Sequence, residues 1–184
     1  SETYLRVQEM DAGTIYMREA TWNLILSYEK IQRFDSAIRT MRSFRANFPD
    51  HQRVPRMYVK IAENLNKLGE FQDAVTAYQE ALDQVTGDDL GNARFGLGEA
   101  YYNLGEYRLA VVEWLKMAYH GQTQSHWAIT ALYRAAKANE KMGHTTDAAS
   151  LYEKIVTIEG ESSDWGRAAA LDLLRLNKAK NSAP

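Results

Sequence analysis

Apolar residues recur along this chain at helical spacing, in stripes broken by glycines and polar turns, and the stripes themselves repeat. One copy reads Ile61-Ala62, Leu65, Leu68-Gly69, Phe71, Ala74, Tyr78 and Ala81-Leu82. A shift of 36 residues gives Leu97-Gly98, Tyr101, Leu104-Gly105, Tyr107, Ala110, Trp114 and Met117-Ala118. Another 38 residues give Ala135-Ala136, Met142-Gly143, Ala148, Tyr152 and Ile155-Val156. Stepping back 37 from the first copy gives Leu24-Ile25, Tyr28, Phe34, Ala37, Met41 and Phe44. A fixed period of this size marks stacked supersecondary units and takes precedence over local motifs.

Each copy predicts a helix, a short turn and a second antiparallel helix. Ala37, Ala74, Ala110 and Ala148 are small where two backbones approach, and the aromatic a turn later fills the space where they splay. Gly69, Gly105 and Gly143 fall where the first helix ends, the place for a left-handed residue without Cβ. Gln32 stands there in the first copy, which predicts a tighter or altered turn.

These segments resemble tetratricopeptide repeats over residues 18–157, most clearly at Leu68-Gly69-Glu70-Phe71 and Leu104-Gly105-Glu106-Tyr107. Thr145 replaces the expected aromatic in the fourth copy, and Pro49 is the one well-placed late proline. The resemblance implies an all-α fold, a right-handed α-solenoid of antiparallel helix pairs, with about ten helices in one domain over 1–184. Its divisions are repeats at 18–54, 55–90, 91–128 and 129–160 and a C-terminal capping helix at 161–177. Residues 1–11, with Tyr4, Val7 and Met10 at three-residue intervals, read as the remnant helix of a preceding repeat. Ser162-Ser163-Asp164 offers the N-cap of the last helix.

Composition narrows the function. Lys plus Arg total 22 against 24 Asp plus Glu, a net charge of -2, which gives no field to attract nucleic acid. No segment approaches the roughly 20 apolar residues of a membrane span. There is no cysteine, so thiolate chemistry is excluded while the redox compartment stays open. The histidines, His51, His120, His126 and His144, lack the four-residue spacing of a zinc site, and His120 with His126 flanking a loop is a weak candidate. Gly96-Leu97-Gly98 lacks the third glycine and preceding strand of a dinucleotide loop. Nothing assembles a catalytic set, so the chain reads as a non-enzyme without cofactor or metal. The one local charge bias is Arg33, Arg39, Arg42, Arg45, Arg53 and Arg56, read as a solvated convex face before an acidic-partner patch.

The resemblance implies a protein-interaction scaffold whose first helices line a concave groove for a partner polypeptide. Carried onto this register, the groove comprises Trp22 from the first copy and Arg56, Glu63, Asn66 and Lys67 from the second. Asn92, Phe95, Glu99, Tyr102 and Asn103 come from the third, and Tyr133, Lys137 and Lys141 from the fourth. Glu19, Leu26, Glu29, Lys30, Val59, Thr130 and Glu140 share the face. Trp22, Phe95, Tyr102 and Tyr133 are aromatics that the register does not use between a repeat's own helices, which makes them candidate anchors. The set lacks the full carboxylate clamp for a chaperone tail. Phe48-Pro49-Asp50 resembles the phrasing of bacterial cell-envelope repeat proteins, which implies a periplasmic or envelope setting; a cytoplasmic docking module of a larger enzyme is the alternative. Self-association through the solenoid ends is a further expectation.

Overall fold

The computed structural model describes residues 2–120 and 126–181, with side chains from 14 to 119 and 127 to 180. The described residues form nine helices and no strand: α1 (Glu2–Lys30), α2 (Phe34–Asn47), α3 (Val54–Leu68), α4 (Phe71–Leu82), α5 (Gly87–Asn103), α6 (Tyr107–His120), α7 (His126–Lys141), α8 (Thr145–Glu159) and α9 (Asp164–Asn181). Each helix packs on its neighbours in the chain, so α1 to α8 form four hairpins and α9 lies on α8. α3 also packs directly on α5, while α2, α4, α6 and α8 make no comparable contact with one another. The first helices therefore form the inner layer of a curved array and the second helices the outer one.

The core is the repeat register made solid. Met41, Tyr78, Trp114 and Tyr152 are each at most 2% exposed, and the alanines a turn earlier are wholly buried. Alanine lets the two backbones of a hairpin close, and the ring fills the wider end. Two glycines of α5 extend the same logic. A Cβ on Gly96 would overlap the Tyr78 ring, and one on Gly98 would lie 2.5 Å from Trp114 Nε1.

Three expectations are corrected here. Residues 2–30 are one continuous helix, so the expected N-terminal remnant is part of α1; the nine helices of the described residues agree with the expected number of about ten. The last helix runs to Asn181, four residues beyond the expected end of the capping helix at 177. The first-copy turn is also not altered. Gln32 takes φ +58°, and its N–H and that of Arg33 bond to Glu29 O and Tyr28 O at 3.0 and 2.8 Å. The same pair of bonds closes α3, α5 and α7 at Gly69, Gly105 and Gly143. The turn geometry is set by hairpin packing, and glutamine accepts the strained left-handed conformation. Gln32→Gly should accordingly raise stability by about 0.5–1 kcal/mol, the relief of strain less the extra chain entropy of glycine, read from thermal denaturation.

The expected cap of α9 is present: Ser163 Oγ accepts the Gly166 N–H at 2.9 Å. α9 buries Ala169 and Leu176 against α8 but leaves Leu171 and Leu174 exposed.

Candidate partner-binding groove

First-helix residues recurring at the repeat spacing form rows across the inner layer. One row holds Leu26, Glu63, Glu99, Lys137 and Arg175; a second holds Glu29, Asn66, Tyr102 and Glu140. Polar contacts bridge neighbouring first helices along these rows. Glu29 accepts from Lys60 Nζ at 2.7 Å and from Asn64 Nδ2 at 2.9 Å, joining α1 to α3. Glu19 pairs with Arg53 at 2.7 Å, and that guanidinium lies 5.0 Å above the Trp22 ring.

The α7–α9 end is a closed network. Asp172 accepts from Tyr133 Oη at 2.7 Å and pairs with Lys137 at 2.8 Å and Arg175 at 3.1 Å. Glu140 accepts from Tyr152 Oη at 2.6 Å and pairs with Arg175. Burial pushes the Asp172 and Glu140 carboxyls up, but the hydrogen bonds they accept outweigh it and hold both below the ordinary carboxylate range. Lys137, by the same balance, is held above the usual lysine value.

The α3–α5 segment between these bridges is different, because its acceptors lack donors. Glu63 makes no hydrogen bond or ion pair among the described residues, and burial raises its carboxyl against the pull of Lys60 and Lys67. Glu99 Oε1 is buried without a hydrogen bond; Arg134 Nε lies 3.3 Å away as an ion pair only. Burial raises this carboxyl too. Asn66 Oδ1 is likewise buried and unbonded. Both glutamates press on the Tyr78 hydroxyl, whose ionisation burial already disfavours. This stretch keeps acceptor oxygens that no donor among the described residues fills, although the cations Lys60, Lys67 and Arg56 stand near Glu63.

The expected groove residues divide accordingly. Arg56, Lys67, Asn92, Asn103 and Lys141 are exposed. Lys141 lines a cleft of about 370 Å³ with Tyr102, Arg134, Lys137 and Glu140. Val59 is 2% exposed and belongs to the core. Three of the four anchor aromatics, Phe95, Tyr102 and Tyr133, are corrected on one point, since they do pack between a repeat's own helices. Phe95 lies 6.4 Å from Trp114, and Tyr102 lies 5.1 Å from Tyr107 and 5.9 Å from Trp114. Tyr133 lies 5.6 Å from Tyr152 and 5.3 Å from Trp165. The large rings at Trp114 and Tyr152 need a flank on the first helix, and these aromatics supply it. Arg134, Asp172 and Arg175 were missed; the row pattern carried one repeat further puts Arg175 at the register of Lys137. The His120 and His126 side chains lie outside the described ones, and no group that could hold a metal ion occurs among the described residues. No described helix is long and apolar enough to cross a membrane.

Sequence models of the tetratricopeptide repeat match residues 59–126, and others match 19–51 and 130–162, together well over half of the chain. The chain belongs to the tetratricopeptide-repeat family. Solved structures agree on the fold. A tetratricopeptide repeat protein from Parabacteroides merdae superposes with TM-score 0.73 at 16% identity, over 89% of this chain. This chain spans 61% of that protein's length. A putative kinesin light chain from Podosopora anserina gives TM-score 0.70 at 16% identity, covering 89% of this chain and 86% of that one. MamA from Desulfovibrio magneticus RS-1 gives 0.65 at 15% identity over 90% and 96%. No curated protein matches the sequence. Tetratricopeptide-repeat arrays are protein-interaction scaffolds, and the array here has the hairpin order that defines them.

Proposed function

We propose that this array holds a partner polypeptide along its concave face and that the α3–α5 segment is the point of recognition. The observation that carries the reading is the set of half-buried acceptors without donors, Glu63, Asn66 Oδ1 and Glu99 Oε1. Buried polar atoms are almost always hydrogen-bonded, so unbonded ones on a recognition face call for a partner's donors. Backbone N–H groups of an extended segment and a lysine or arginine side chain satisfy both the geometry and the charge. The α7–α9 network, already satisfied internally, frames the groove without needing the partner. No catalytic role enters this reading.

The setting we propose is a bacterial cell-envelope assembly, on the phrasing Phe48-Pro49-Asp50 alone. A secretion signal in the full-length reading frame supports it, and its absence there sends the scaffold to the cytoplasm.

The test of the groove separates binding from stability. A carboxyl raised by burial adds stability below its ordinary value and loses it as pH rises through the raised one, so at neutral pH the charge is a cost. Glu63→Gln with Glu99→Gln should thus raise stability by about 0.5–1 kcal/mol at pH 7, a gain that shrinks as pH falls. The same double variant should lose roughly tenfold or more in affinity for cationic peptides selected on the wild type from a displayed random library. Selected peptides that bind both proteins equally would sink the groove assignment.

A further inference from the structure

The outer layer holds a second site. Between α2 and α4, with α3 as floor, two adjoining hollows of about 490 and 280 Å³ share Arg42, Arg45, Tyr58 and Glu80. The Arg45 guanidinium lies over the Tyr58 ring, 3.5 Å from its centroid. Stacking of this kind fixes the plane of the group and leaves its edge N–H donors facing outward. Neither Arg45 nor Arg42, one turn earlier, makes a hydrogen bond or ion pair among the described residues. Glu80 and Asp73 line the crevice outside ion-pair reach of both.

The repeat itself shows that the fold does not ask for these arginines. At the register of Arg45 the later copies carry Leu82, Ala118 and Val156, each half-buried against the core. At the register of Arg42 they carry Gln79, Leu115 and Glu153. Only the first copy replaces the apolar seam residue by a stacked, unpaired guanidinium.

We propose that this crevice is a second binding site, on the convex side, where a side-chain carboxylate of an acidic polypeptide segment sits between Arg42 and Arg45. A carboxylate accepts two parallel N–H bonds from the planar fork of Arg45, and Arg42 supplies the second positive charge. Glu80 and Asp73 at the lining repel a continuous polyanion but leave room for one carboxylate on an otherwise neutral chain. That favours an acidic peptide over a nucleic-acid strand. This site lies on the opposite face from the concave groove and shares no residue with it.

The test uses three fluorescein-labelled probes: a peptide of alternating glutamate and serine, its glutamine counterpart, and an oligothymidylate. Fluorescence anisotropy on the whole chain should show the glutamate peptide binding about tenfold or more tighter than the glutamine one. Arg42→Gln with Arg45→Leu, residues taken from the next repeat, should erase that difference with an unchanged melting temperature. Arg45→Lys keeps the charge but loses the planar fork, and should weaken the glutamate peptide severalfold. A control of equal charge loss far from the crevice, Arg108→Gln with Lys154→Gln, should leave binding intact. Equal binding of both peptides, equal loss in the control, or an oligothymidylate bound as tightly as the glutamate peptide would each overturn the assignment.

Discussion

Gly98→Ala should destabilise the chain by about 2–3 kcal/mol, although alanine is the better helix former by about 1 kcal/mol. The added Cβ would stand 2.5 Å from Trp114 Nε1 and 2.7 Å from Cδ1. Trp114 is wholly buried and its Nε1 donates to the Phe95 carbonyl at 3.2 Å, so the ring cannot swing aside without losing both packing and a hydrogen bond. Either α5 separates from α6 or the ring leaves its rotamer, and overpacking of this kind outweighs the gain in propensity. Gly91 in the same helix is the internal control, because a Cβ there meets nothing within 4 Å and its φ is ordinary. Gly91→Ala should raise stability by about 0.5–1 kcal/mol. Urea denaturation of the two variants decides the matter: if both move the midpoint in the same direction, the close approach of α5 to Trp114 is not what holds this hairpin.

The fold was legible because the hairpin repeats one small set of steric demands. Alanine at Ala37, Ala74, Ala110 and Ala148 and a ring or methionine four residues later could be placed in contact from spacing alone, and the four copies removed the ambiguity of any one. The turns were less legible. Glycine at Gly69, Gly105 and Gly143 advertises the left-handed conformation, but its absence at residue 32 does not forbid it, since the packed hairpin supplies the strain energy. The N-terminal helix continues past residue 11 and through Gly13, since a lone glycine costs a long helix only about 1 kcal/mol.

The candidate groove was legible in its rows and not in its partners. Register places Glu63, Glu99, Lys137 and Tyr133 on the inner layer, but it does not tell which charges neutralise one another across helices 36 to 38 residues apart. Glu99 and Lys137 occupy equivalent positions, yet Lys137 is bound into a network while Glu99 keeps an unbonded oxygen. The difference comes from α9, whose Asp172 and Arg175 close the last groove position, and a helix treated as a simple cap hides them. Aromatics mislead in the opposite direction. Phe95, Tyr102 and Tyr133 look spare when each helix is read alone and become flanks once Trp114 and Tyr152 are set in place.

That closing network leads to the second large effect. Asp172→Ala should cost about 2 kcal/mol at pH 7, chiefly by loosening α9. The Asp172 side chain is 16% exposed and holds Tyr133, Lys137 and Arg175 together; without it only Glu140 remains to face the two cations. Water reaches the rim of the cluster, which keeps the cost below that of a fully buried pair. The pH dependence gives the cause its signature. Because hydrogen bonds hold the Asp172 carboxyl below its ordinary value, its contribution is complete above the unfolded-state value of about 3.9 and is lost as pH falls through the lower folded one. The wild type and the variant should therefore differ at pH 7 and converge toward pH 2. Lys137, held high, keeps its share until pH rises beyond the usual lysine range, so the gap between the two proteins should stay constant from pH 7 to about 9. Hydrogen exchange locates the effect: amides of Ala169 to Leu176 should exchange faster in the variant while those of α3 and α4 keep their protection. Uniform acceleration along the chain would mean that α9 folds as one unit with the repeats, and that the salt network does not set the strength of its docking.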